Sequence, residues 1–285
     1  MAHKNKTNIS PYTTRQKEKQ SEKQKQAPPA KSASKSNVTL PSLKGLHKKP
    51  QEIFSQEEAN DRLADIFRNH DFKIASHAQR QQLAHFYRLL MENQETENFT
   101  RLLKIRDIAI RHFIDSLIIT GLTKLQFPLM DMGTGPGFPG IPLKIFYPEE
   151  RIILAEGVQR RVEFLKTVRE KMNLKNLDII GRNINPYFAY PVQGVITRAV
   201  EDVRNTLLNS LTCLQLGGKV YLMKGPNVDP EIKVAQQEVG EYYKLVQDVA
   251  YTLPHTTHER RLLVYEKFKL SPLPDFDEEP WPDDD

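Results

Sequence analysis

From Gln56 onward the chain alternates between two hydrophobic rhythms. Leu63, Ile66 and Phe67 share one helical face, and Leu83, Phe86, Tyr87 and Leu90 recur at i, i+3, i+4 and i+7, the spacing of an amphipathic helix. A third helical stretch is marked by Ile105, Ile108, Phe113, Leu117 and Ile118. Beyond Phe127 short apolar runs take over, at Phe127–Met132, Arg151–Glu156, Leu177–Gly181, Gly194–Thr197, Lys219–Met223, Leu245–Tyr251 and Arg261–Phe268. Amphipathic stretches separate most of them, as at Val158–Met172 with Val162, Phe164, Leu165 and Val168. Strand and helix in alternation predict a mostly parallel sheet covered on both faces. The last two runs have no good helix between them, which predicts an antiparallel hairpin at one edge.

The flanks read differently. Residues 1–50 are rich in Lys, Gln, Ser and Pro and almost lack large apolar side chains, so they cannot offset the entropy of ordering. The expected organisation is a disordered basic extension over 1–50, a helical cap over 51–125, an α/β domain over 126–270 and an acidic tail over 271–285. The formal net charge of +5 conceals segregation: 12 Lys/Arg against two Glu in residues 1–50, and seven acids without a base in 275–285. The basic arm is read either as a phosphate-binding segment or as a solubilising or targeting extension.

Several function classes lose ground on composition. No apolar run has the length of a membrane span, and no hydrophobic segment marks a signal peptide. The lone Cys213 has no partner for an internal disulfide, and it sits in an apolar, helix-like "LLNSLTCLQL" that reads as a buried, inert thiol. His255 and His258 lie in a turn-like stretch without further ligands, so no metal is expected. A cytoplasmic protein fits, in a bacterial cytosol or an organelle of bacterial descent.

The segment "DMGTGPGFPG", Asp131–Gly140, follows the first strand and holds four glycines and two prolines. In an open α/β sheet the ligand sits beyond the carboxyl ends of the strands, where a bare strand-to-helix turn lets the backbone approach it. Gly133, Gly135 and Gly137 suit that turn, and Glu156 closes the second strand where ribose hydroxyls would need an acceptor. This much fits NAD or S-adenosylmethionine. Pro136, Pro139 and Pro142 remove N–H donors that a pyrophosphate would want, and a cationic sulfonium loses little by that. Arg198 and Lys224 fall at strand ends facing the same crevice, as candidates for contact with whatever binds there. Arg111 and Asp115 share a helix face as a possible local pair.

Seven ordered motifs then resemble the RsmG (GidB) family of small-subunit ribosomal RNA guanine-N7 methyltransferases, from about Ala75 to Leu270. "ENFTRL" (97–102) and "RHFIDSL" (111–117) are similar to the family's cap motifs, and "DMGTGPGFPGIPL" (131–143) to its glycine loop. "ILAEGVQRRVEFL", "GVITRAV" (194–200), "LMKG" (222–225) and "HERRLLVYEK" (258–267) follow in order. The resemblance implies a Rossmann-like class I methyltransferase sheet and S-adenosyl-L-methionine as methyl donor. It implies RNA binding in rRNA processing, with small-subunit (16S-type) ribosomal RNA as partner and neither membrane nor metal. By it, Gly133, Gly135, Gly137, Phe138, Glu156, Ile184, Asn185 and Arg198 form the cofactor site, and Arg198, Lys224 and Arg111 face the RNA. Asn185 stands where the family carries an acid near the adenine. The long basic extension and the acidic tail depart from the family pattern.

Methylating guanine N7 requires no general base, because the ring nitrogen offers a free lone pair; no catalytic residue is assigned. The rival readings are a degenerate methyltransferase fold that binds ribosomal RNA as an assembly factor, an NAD-binding oxidoreductase, and an adenine amino-group methyltransferase suggested by "NPYF" at 185–188. The last expects its motif after the fourth strand, whereas here it precedes "GVIT".

Overall fold

The computed structural model describes residue 50, residues 52–198 and residues 200–271. The expected basic extension up to residue 49 and the acidic tail from residue 272 lie outside the described residues.

The cap opens with α1 (Gln56–Asn69) and α2 (His77–Glu97). Each starts on a serine: Ser55 accepts from the Glu58 N–H, and Ser76 forms a reciprocal capping box with Gln79. The third stretch is not one regular helix. It runs as α3 (Ile105–Ile108), a π-helical turn (Ala109–Ile114), α4 (Asp115–Leu117) and a 3-10 turn (Ile118–Gly121). Nothing in the apolar spacing marks that wide turn, since Ile110, Phe113, Ile114 and Leu117 keep the i, i+3, i+4, i+7 period of an ordinary helix.

Among the described residues, seven strands form one sheet: β1 (Leu129–Met132), β2 (Ile152–Ala155), β3 (Leu177–Ile180), β4 (Val192–Arg198), β5 (Leu214–Lys224), β6 (Tyr243–Thr252) and β7 (Glu259–Lys267). Their order is β3-β2-β1-β4-β5-β7-β6. The first five are parallel, and β7 lies antiparallel between β5 and β6. This is the expected mostly parallel, Rossmann-like sheet with its antiparallel hairpin at one edge.

The helices α5 (Gly140–Phe146), α6 (Gln159–Lys171), α7 (Val203–Asn209) and α8 (Asp229–Glu238) link the strands. Alternate side chains of each strand enter opposite cores. Leu129, Ile152, Leu154 and Ile196 pack with the cap, α5 and α6; Met130, Ile153, Val195 and Val220 pack with Val203, Leu207 and Ala235 of α7 and α8. The cap therefore shares one core with half of the sheet. Cys213 is not helical as its sequence suggested; it ends a turn just before β5. It is buried, and burial pushes its thiol up to about 12, which agrees with an inert thiol. Among the described residues no helix is long and apolar enough to cross a membrane, and no three His, Cys, Asp or Glu side chains cluster as metal ligands.

Candidate active site

Strand order reverses between β1 and β4, and there, beyond the strands' carboxyl ends, lies a cavity of about 440 Å³. Ligand crevices of α/β sheets form at such switch points, and this volume is in the range of small-molecule sites.

Asp131, at the end of β1, organises the loop that rims it. Its Oδ2 accepts from the Thr134 hydroxyl (2.6 Å) and from the Gly140 N–H (2.7 Å), drawing the far end of the turn back to the strand. The carboxyl is fully buried, and its Oδ1 has no hydrogen-bond partner among the described residues. Burial raises its pKa to about 7, because the charged form loses water that two hydrogen bonds only partly replace. Gly135 stands at the tip with φ +61°, and a Cβ there would project into open space. Its N–H donates to Glu156 Oε2 (2.9 Å), while Glu156 Oε1 accepts from the Val158 N–H (2.9 Å) and lies 3.4 Å from Arg161. Glu156 is thus a buried, pre-oriented carboxylate on the floor beside the bare loop.

The opposite wall comes from the π turn. His112 stacks on Phe138, with ring centroids 4.2 Å apart and planes at 12°. Arg198 Nη2 approaches His112 Nδ1 at 3.0 Å, and His112 Nε2 lies 3.0 Å from the Thr100 hydroxyl. A guanidinium can only donate, so Nδ1 accepts and the proton sits on Nε2, which donates to Thr100. Burial first, then the charges of Arg198 and Arg111, hold the His112 pKa well below its usual range, so the ring is neutral.

Arg198, at the end of β4, lines the cavity although its side chain is only 14% exposed. It donates to the Arg111 carbonyl (3.1 Å) and to Asp115 (3.4 Å), and Asp115 is also held by Arg260 of β7 (3.2 Å). The possible Arg111–Asp115 pair does not form. Asp115 is turned inward and takes both charges that the sheet delivers, whereas Arg111 is exposed.

Of the expected cofactor residues, the structure brings Gly133, Gly135, Phe138, Glu156 and Arg198 together around the cavity. Gly137 is not among its lining residues: a Cβ there would fall 2.6 Å from Ile141 and 3.3 Å from Leu165 and Phe86, so its smallness serves packing. Ile184 is buried in the second core. Asn185 turns its amide oxygen to the Tyr187 N–H (3.1 Å), and the side chain of that loop which lines the cavity is Asn183. Lys224 does not line it either, because its ammonium is tied to the Glu201 carbonyl and to Glu231 (2.9 Å). Arg111 contributes only its carbonyl to the Arg198 network. Sequence reasoning missed His112, Phe99, Asn183 and Arg161 as lining residues. The readable signal for His112 was its place inside "RHFIDSL"; Arg161 was indistinguishable from a solvated helix face.

The family model described as rRNA small subunit methyltransferase G (GidB) matches residues 79–263. A Bdellovibrio bacteriovorus protein named ribosomal RNA small subunit methyltransferase G 2 is 71% identical over 234 residues, 82% of this chain and 92% of that protein. A Syntrophobacter fumaroxidans protein of the same name is 41% identical over 207 residues, 73% of this chain and 41% of that protein. The Carboxydothermus hydrogenoformans ribosomal RNA small subunit methyltransferase G is 36% identical over 196 residues, 66% of this chain and 83% of that protein.

Proposed function

The chain belongs to the RsmG (GidB) family, and from that premise we propose that it transfers a methyl group from S-adenosylmethionine to N7 of a guanine in small-subunit ribosomal RNA. The observation that carries this reading is the switch-point cavity, with a bare glycine tip on one side and the buried Glu156 carboxylate on the other. We place the reaction in the cytoplasm, and divide the chain into a cap (51–125) and a donor-binding domain (126–270).

The lining suits a cationic donor without phosphate. Pro136 offers no N–H, Glu156 supplies an acceptor for vicinal hydroxyls, His112 is neutral, and the lining cations Arg161 and Arg198 each lie beside a carboxylate, Glu156 and Asp115, that offsets their charge. In this reading Gly133, Gly135, Phe138, Glu156 and Arg198 hold the donor, with Asn183 completing the floor. When bound, the donor supplies an electrophilic methyl group on positively charged sulfur.

The chain's own work is orientation and water exclusion. Guanine N7 presents its lone pair unassisted, so no side chain has a proton to remove. His112 could not act as a base while its Nδ1 accepts from Arg198 and its Nε2 donates to Thr100. Phe99, Phe138, Val158 and Val200 make the apolar walls, which lower the local dielectric around the reacting groups. The Arg198 guanidinium has five N–H groups, more than the Arg111 carbonyl, Asp115 and His112 occupy, which leaves capacity to donate to a guanine edge or phosphate.

The test is to incubate the purified protein with S-adenosylmethionine and small-subunit RNA lacking N7-methylguanine, then map that base chemically. One new N7-methylguanine is the expected result. Donor binding without modification of the RNA would favour the assembly-factor reading instead.

A further inference from the structure

Thr100 does not line the cavity, yet its hydroxyl meets His112, which in turn meets Arg198. The backbone of Thr100 is clamped by Gln94, a fully buried side chain of α2. The Gln94 amide oxygen accepts from the Thr100 N–H (3.1 Å), and its amide nitrogen donates to the Thr100 carbonyl (2.8 Å) and to Asn98 Oδ1 (3.2 Å). Helix α2 stops at Asn98, whose left-handed φ of +49° turns the chain so that Thr100 comes back against the last turn. The buried hydroxyl is thereby held at a fixed point, where it accepts from the Leu102 N–H (3.0 Å) and faces His112 Nε2 (3.0 Å).

A neutral imidazole has one N–H and one lone pair, and either nitrogen can carry the proton. Arg198 Nη2 needs the lone pair on Nδ1; the other tautomer would set N–H against N–H. The partner of the far nitrogen decides between them. Thr100 supplies that partner. Were its hydroxyl absent, Nε2–H would be buried without an acceptor, and moving the proton to Nδ1 would remove that penalty at the expense of the bond to Arg198. On its other edge Arg198 is held through Nη1 by the Arg111 carbonyl and Asp115, while its Nε–H has no partner among the described residues and is left for a ligand.

We infer that Thr100 is a positioning residue for donor binding: its hydroxyl, locked in place by Gln94, keeps the His112 proton on Nε2 and so leaves Nδ1 to orient the Arg198 guanidinium in the cavity. Buried hydrogen-bond chains of this kind act as a unit, so the effect of Thr100 passes through His112 and Arg198 and not through contact with the donor. This inference rests on the S-adenosylmethionine site proposed above.

The test compares Thr100→Val, Thr100→Ser, Arg198→Ala and the double variant Thr100→Val/Arg198→Ala in the full chain, with melting temperatures to confirm that each is folded. Valine keeps the shape of threonine and removes the hydroxyl; serine keeps the hydroxyl. The readouts are the nitrogen-15 shifts of the His112 ring, assigned by their absence in His112→Asn, and S-adenosylmethionine affinity by calorimetry. Thr100→Val should move the ring proton wholly or partly to Nδ1 and weaken donor binding roughly tenfold, about the worth of one hydrogen bond to a charged group. Thr100→Ser should restore both. With Arg198→Ala already in place, Thr100→Val should weaken binding no further. An unchanged tautomer or unchanged affinity in Thr100→Val overturns the inference, as does a Thr100→Ser that fails equally or a full tenfold loss in the Arg198→Ala background. None of these readouts needs methyl transfer. If they come out as expected while the RNA stays unmodified, the proposed reaction fails and the relay from Thr100 stands.

Discussion

Two buried carboxyls at neighbouring strand ends differ in their hydrogen-bond environment, and each makes a prediction. Glu156 accepts from two backbone N–H groups and faces the cavity. Charge-assisted hydrogen bonds contribute about 1.5–3 kcal/mol, so Glu156→Gln should weaken S-adenosylmethionine binding by roughly ten- to a hundredfold in calorimetry. Asp131 is held nearer its neutral form, with a pKa of about 7 against an ordinary 3.8. The folded state therefore binds a proton that the unfolded state has already released. This contribution to stability is complete below about pH 4 and is lost as pH rises through about 7. Denaturant titrations across that window should show wild-type stability declining and Asp131→Asn declining less. Single residues were also where sequence was least informative. Gly133 and Gly135 could be read from the strand-to-turn context, yet Gly137 looks the same in sequence and faces Ile141. Spacing alone likewise did not reveal that Asn183 rather than Asn185 lines the cavity, because that depends on how the loop turns after β3.

The irregular third helix has its own energetics. Its π turn delivers His112 to Phe138, and the α-helical turn that follows delivers Asp115 to Arg198 and Arg260. Asp115→Ala would leave two largely buried guanidinium groups without their carboxylate, and breaking a buried pair costs about 3–5 kcal/mol. A loss of that order in urea or guanidinium unfolding is expected, against a change within about 0.5 kcal/mol for the exposed Arg111→Ala. Equal losses in the two variants would contradict a network centred on Asp115. Most other elements were legible, because strand and helix periods differ, but "LLNSLTCLQL" reads as a helix and instead ends α7 and begins β5. The π turn left no mark in the apolar spacing, where Ile110, Phe113, Ile114 and Leu117 keep a helical period. The Arg260–Asp115 pair spans 145 residues, beyond the reach of any local periodicity.

At the scale of the whole molecule, the mostly parallel sheet and the antiparallel hairpin at its edge followed from the alternation of strands and helices and from the missing helix before β7, whereas the strand order, and with it the switch point between β1 and β4, did not. That the cap and half the sheet would share one core did not follow, since amphipathic faces do not name their partners. Charge is distributed as unevenly as structure, with the excess of bases in residues 1–50. If that segment neutralises RNA phosphates, its removal should leave the melting temperature unchanged and flatten the dependence of RNA affinity on salt. The log–log slope should fall by about 0.7–0.9 for each phosphate no longer neutralised. An unchanged slope would make it a passive extension.

The buried Cys213 has a practical consequence. Its thiol is sealed under the start of β5 and stays protonated at neutral pH, so maleimide or iodoacetamide reagents should leave the native protein untouched. A cysteine introduced on the surface would then take up a fluorophore or spin label as the sole reactive position, without first mutating the natural one.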